Sequence, residues 1–125
     1  MAERVGGLEA LRAALILTSS AVASSEVAVN KGTRVTLYVD FTIGSLTNVI
    51  IRPEVRPLSG SGSSWYQLTD IAGDVVAYTL TASDSLAIQL PDHGGEFSAG
   101  DLRFTATGTG TVTSSSLTLG ATASV

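Results

Sequence analysis

From Arg34 to Thr42 the chain alternates strictly: Val35, Leu37, Val39 and Phe41 fall on one side, with Arg34, Thr36, Tyr38 and Asp40 on the other. A period of two belongs to a pleated strand with one face buried and is incompatible with a helix. Such a strand needs neighbours for its backbone groups and a second layer over its apolar face. The remaining sequence supplies both. From Leu17 onward, short runs rich in Val, Thr, Leu and Ile are separated by Gly, Ser, Asn and Asp at intervals of roughly 8 to 12 residues, the spacing of an all-β domain. Val27 to Val29 leads into the Asn30-Lys31-Gly32 turn, and Leu46 to Val55 is closed by Pro53 and Pro57, which push its far end toward a sheet edge or out of the ladder. Trp65 to Leu68, Val75 to Leu80, Leu86 to Leu90, Leu102 to Thr107 and Ser116 to Ala121 complete the set, with a turn expected around Gly108-Thr109-Gly110. The expectation is an all-β fold: a single two-sheet antiparallel β-sandwich of about seven or eight strands, with an N-terminal arm or short helix.

That arm is read as residues 1–17, ahead of a sandwich domain at 18–125. Leu8, Leu11 and Leu15 recur at i, i+3 and i+7, the spacing of one apolar helix face, which makes Gly6-Gly7 a flexible joint or the helix start. An apolar turn this short does not bury itself and needs a surface to lie on, its own domain or a neighbouring subunit. A secretory signal fits less well, because the apolar run is broken by Thr18-Ser19-Ser20 and its flank carries Glu3 and Glu9.

Composition excludes several functions. The 125 residues include no cysteine, so disulfides, thiol nucleophiles and Cys-ligated zinc are absent. Against 11 acidic residues stand 7 Lys and Arg, a net charge of -4 that lacks the basic footprint of phosphate-backbone binding. No apolar run approaches the ~20 residues of a membrane span. Neither nucleic acid nor membrane is therefore an expected partner. Charged residues make up only 14% of the chain, so the surface is built from hydroxyls and small side chains suited to packing against other protein.

Chemistry is sparse. His93, in Pro91-Asp92-His93-Gly94-Gly95-Glu96, is the one histidine, and no serine sits in a Gly-x-Ser-x-Gly elbow. Asp92, His93, Glu96 and Asp101 lie close enough in sequence for the three carboxylates among them to offer oxygen ligands to calcium, yet match no EF-hand loop and read as an exposed polar loop. Glu54 and Asp40 form a carboxylate pair only if their strands face one cleft. Ser59 to Ser64 and Gly108 to Gly110 lack the phosphate-loop pattern. Alternation places Trp65 and Tyr66 on opposite faces, so at most one enters the core; Trp65 reads first as packing and only then as a protein contact or a sugar platform. No catalytic residue, cofactor or metal is assigned.

The order of motifs carries a resemblance. Leu37-Tyr38-Val39-Asp40-Phe41-Thr42, then Trp65-Tyr66-Gln67-Leu68, then Leu102-Arg103-Phe104, then Gly108-Thr109-Gly110-Thr111-Val112-Thr113 leading to Ser116-Leu117-Thr118-Leu119, resemble small β-sandwich structural proteins of tailed-bacteriophage virions. The likeness spans about residues 14 to 123 and departs at the corner, where Ser59 to Ser64 replaces an Asp-Gly turn before the tryptophan. It implies a non-enzymatic virion component, made in the host cytoplasm: a capsid decoration (cement) protein on the outside of the head shell, bound to the major capsid protein and assembled as a homo-oligomer, a trimer by analogy with that class. The alternatives are a neck, tail or fibre-attachment subunit, or a carbohydrate-binding module. The interface residues expected on this reading are Leu8, Leu11 and Leu15 of the arm with the aromatics Tyr38 and Tyr66.

Overall fold

A computed structural model describes residues 9–29, 34–57, 64–70, 72–90 and 100–124. The strands are β1 (Glu9–Leu15), β2 (Val22–Ala23), β3 (Val27–Val29), β4 (Arg34–Thr42), β5 (Leu46–Pro57), β6 (Tyr66–Gln67), β7 (Tyr78–Leu80), β8 (Asp84–Leu90), β9 (Gly100–Gly110) and β10 (Ser116–Ser124). No helix occurs among the described residues. The strands form two antiparallel sheets, one of four strands in the order β1-β10-β4-β8 and one of six in which β2 and β3 flank β9 while β6 and β7 flank β5. This is the β-sandwich expected from the alternation; the strand count rises because two- and three-residue strands decorate the second sheet.

The core lies where the period of two puts it. Val35, Leu37, Val39 and Phe41 of β4 are buried, beside Leu117, Leu119, Ala121 and Ala123 of β10. Val49 and Ile51 of β5 and Leu102, Phe104 and Ala106 of β9 belong to the same cluster. The long β5–β9 ladder is the second sheet's spine, running from Leu46 opposite Gly110 to Pro57 opposite Gly100. A register shift between Leu46 and Asn48 inserts one extra residue, which lets both Leu46 and Val49 turn inward. Opposite this bulge Gly110 has φ +96, and a Cβ there would lie 2.9 Å from Thr47 Oγ1, so the position requires glycine.

Three expectations need correction. Residues 9–15 are a strand, not a helix or a free arm: β1 pairs with β10, Leu11 is buried, and Leu17 is 1% exposed in the core. The reason is energetic, since one isolated helical turn is marginal in water whereas β10 offers a ladder and the sandwich a cavity for Leu11. Leu17 is further fixed by donating its N–H to Ser115 Oγ at 3.2 Å. Pro53 does not end the ladder either, whereas Pro57 is its last residue, opposite Gly100. Pro53 O accepts from Leu68 N, so the side of Pro53 that lacks an N–H faces the short β6, while the β9 side keeps its pairing. Finally, Gly108 to Gly110 is the end of β9 and not the turn, which falls at Thr113-Ser114, where Ser114 has φ +65.

Candidate functional site

The outer face of the four-stranded sheet is built from the residues that β4, β8 and β10 turn away from the core. Tyr38 stands there 43% exposed, and its register neighbours are Gly120 on β10 and Ala87 on β8. Neither can wall in an aromatic ring. Around it lie Thr36, Thr42, Thr118 and Thr122, the hydroxyl-rich surface implied by the composition. Asp40 Oδ1 accepts a 2.7 Å hydrogen bond from Ser85 Oγ across β4 and β8. Tyr38, Val39, Asp40, Ser85, Leu86 and Ala87 line an open depression of about 320 Å³ at this edge. Its shallow shape suits contact with another surface better than enclosure of a small ligand.

The outer face of the six-stranded sheet is charged. On β5 and β9, Glu54 pairs in register with Arg103 and Arg56 with Asp101. Arg103 Nε donates to Glu54 Oε1 at 2.8 Å, while Arg56 Nη2 donates to Asp101 Oδ2 at 2.7 Å and to Glu26 Oε1 at 2.5 Å. The hydrogen bond to Asp101 is the main reason the Arg56 guanidinium is held above its ordinary pKa; burial opposes it, and the charges of Glu26 and Asp101 add to it. Trp65 lies over both cations, with Arg56 Cζ 4.6 Å and Arg103 Cζ 4.2 Å from the ring centroid. The tryptophan therefore sits outside the core as the lid of an ion-pair quartet, and its contacts are already taken up by protein cations.

The residues expected at an interface do not converge. Leu8 lies outside the described residues, Leu11 is in the core, and Leu15 pairs with Leu117 in the β1–β10 ladder. Tyr38 and Tyr66 are both exposed but belong to different sheets, since Tyr66 pairs with Val55 at the rim of the six-stranded one. Trp65 and Tyr66 do take opposite faces, and neither is part of the core cluster. Glu54 and Asp40 occupy the two opposite outer faces, so they share no cleft. Asp92, His93 and Glu96 fall outside the described residues, while Asp101 is buried and bonded to Arg56. Among the described residues no cluster of three or more His, Asp or Glu could hold a metal ion.

Two features escaped the sequence reading. The quartet was latent in the spacing, because Glu54 and Arg56 two apart on one strand complement Asp101 and Arg103 two apart on the other. Arg12 had no comparable signal. Its guanidinium donates to the carbonyls of Leu117, Ala13 and Ile16, filling the irregular edge of β1, and desolvation there lowers its pKa. No family model matches the chain, and no curated protein matches it in sequence.

Proposed function

We propose that the chain is a structural protein of a tailed-bacteriophage virion, a capsid decoration protein that docks on the outer surface of the head shell and stabilises it. The observation that carries the reading is the face around Tyr38: a broad, small-residue, hydroxyl-rich sheet surface with one exposed aromatic and only an open depression beside it. Such a face serves contact with protein, and the motif order over residues 14 to 123 supplies the virion context. Mechanically, a rigid sandwich laid across the joint between capsid subunits adds buried area on both sides of that joint. Repetition over a symmetric lattice turns many weak contacts into firm attachment.

Quantitative mass spectrometry of purified particles tests the proposal. A decoration protein is present in hundreds of copies per particle and rebinds shells stripped of it, with Tyr38→Ala weakening rebinding. Tens of copies or fewer point to a neck, tail or fibre-attachment subunit instead. Absence from particles overturns the virion reading altogether.

A further inference from the structure

Sheet edges expose unpaired N–H and C=O groups, and folded proteins blunt them by shortness, bulges, charge or cover. Three of the four flanks of this sandwich follow that rule. On the six-stranded sheet, β2 and β6 have two residues each and β3 and β7 three each. On the four-stranded sheet, β1 carries register shifts between Ala10 and Arg12 and between Arg12 and Leu15, and the Arg12 guanidinium donates to Ala13 O on it, to Ile16 O just beyond it and to Leu117 O on β10. The fourth flank, β8, is different. It is seven residues long, pairs with β4 without a shift from Asp84 to Leu90, holds neither Pro nor Lys, and has no second strand on its far side among the described residues.

We propose that β8 is a self-association edge at which a second copy of this chain pairs antiparallel about a two-fold axis through Ala87, joining two four-stranded sheets into one. The inference goes beyond the virion reading and does not depend on it. In this register Leu86 faces the partner's Ile88, Ser85 faces Gln89, and Asp84, the only charge on the strand, faces Leu90. The two aspartates then lie six residues apart along the strand, about 20 Å, beyond the roughly 8–10 Å over which exposed charges act in ordinary salt. No like charges meet. Tyr38 adds a second contact, because it flanks Ala87 in register on the outer face. Across the axis the order becomes Tyr38, Ala87, Ala87, Tyr38, placing the two tyrosine backbones about 14 Å apart with only methyl groups between them, so the rings can close over the seam. The irregular β1 offers no matching ladder for β8, which prevents head-to-tail growth into fibres and leaves a closed pair. That two-fold contact differs from the three-fold assembly implied by the resemblance.

The absence of cysteine permits a direct test. Ala87→Cys places a single thiol on the proposed axis, and Ala10→Cys places one on the bulged edge as control. Ala87→Cys should oxidise to a disulfide-linked dimer at least about tenfold faster than Ala10→Cys, because the pair holds its thiols at high effective concentration. Sedimentation of the unmodified chain should show monomer and dimer exchanging at about tens of micromolar, as a single-strand contact is smaller than the roughly 800 Å² per partner of tight complexes. Ala87→Lys and, independently, Gln89→Lys should remain folded and monomeric. A chain that stays monomeric at millimolar concentration overturns the proposal, as does a dimer that survives both lysine variants or cross-links no faster at position 87 than at position 10.

Discussion

The two sides of the sandwich handle the same physical problem in opposite ways. On the side of β1, β2 and β3, hydrogen bonds tie strands and connecting segments to one another. Arg12 donates to Ala13 O on the bulged strand, Ile16 O just beyond it and Leu117 O on β10, Ser25 N donates to Leu11 O at 2.9 Å between the sheets, and Ser24 donates its N–H to Phe104 O while its Oγ accepts from Phe104 N. Arg56 reaches past β9 to Glu26 on the same side. On the side of β8 the ladder is regular and its outer edge is bare among the described residues. Stability is thus concentrated on one flank and availability for contact on the other. A protein that acts by attachment benefits from that division, since the contact flank can tolerate substitution without loss of the fold.

Removing residues 1–17 is the severest way to break the comparison. It deletes β1 together with Leu11 and Leu17, each worth about 2–5 kcal/mol on truncation to alanine, against a total of about 5–15 kcal/mol for a domain of this kind. The truncated chain should lose its cooperative thermal transition by circular dichroism. A cooperative melt near that of the full chain would show that the sealed flank is dispensable. Loss of the transition would confirm β1 and Leu17 as integral parts of the sandwich.

Single substitutions sharpen the contrast. Leu17→Ala should cost about 2–5 kcal/mol in urea unfolding, because the side chain is fully enclosed and cannot be replaced by water. Asp101→Asn leaves Arg56 with Glu26 and the Trp65 ring, so the loss should be about 3 kcal/mol or less, at the low end for a broken buried pair. Arg12→Ala should cost about 0.5–1.5 kcal/mol, chiefly through the part-buried hydrogen bond to Leu117 O, since water can replace the guanidinium at the exposed Ala13 and Ile16 carbonyls, with faster amide exchange in β1 and β10 as its local signature. Unchanged exchange in those strands would remove Arg12 from the account of the sealed edge.

How much of this was legible follows from which interactions are local. The alternation in β4 reports burial directly, so the strand, its face and the sandwich could all be read from Val35 to Phe41. Residues 9–15 could not be read the same way. Their two bulges destroy the period of two, and the Leu8, Leu11, Leu15 spacing that remains imitates a helix. Pro53 misled for another reason: whether a missing N–H matters depends on which neighbour it faces, and that is a property of the sheet. At the site, Tyr38 was readable from its place on the polar face of β4. The quartet beneath Trp65 required knowing that β5 and β9 pair, a contact between segments some fifty residues apart in the chain. That β8 has no second neighbour among the described residues is visible only once their other strands have been placed.

Tyr38→Ala gives the smallest effect on the fold and the sharpest one on the comparison. The ring is 43% exposed and flanked by Gly120 and Ala87, so removing it opens no cavity and strands no buried partner. Its cost in urea unfolding should stay within about 0.5 kcal/mol, the usual range for a surface position. If the flank of β4 and β8 serves contact, the same substitution should weaken attachment to stripped shells while the melt is unchanged. Separation of binding from stability at one residue is what the division of the two flanks predicts. A Tyr38→Ala chain that melts markedly earlier would instead mean that the ring holds the outer face together, and the open flank would then be structural like its counterpart.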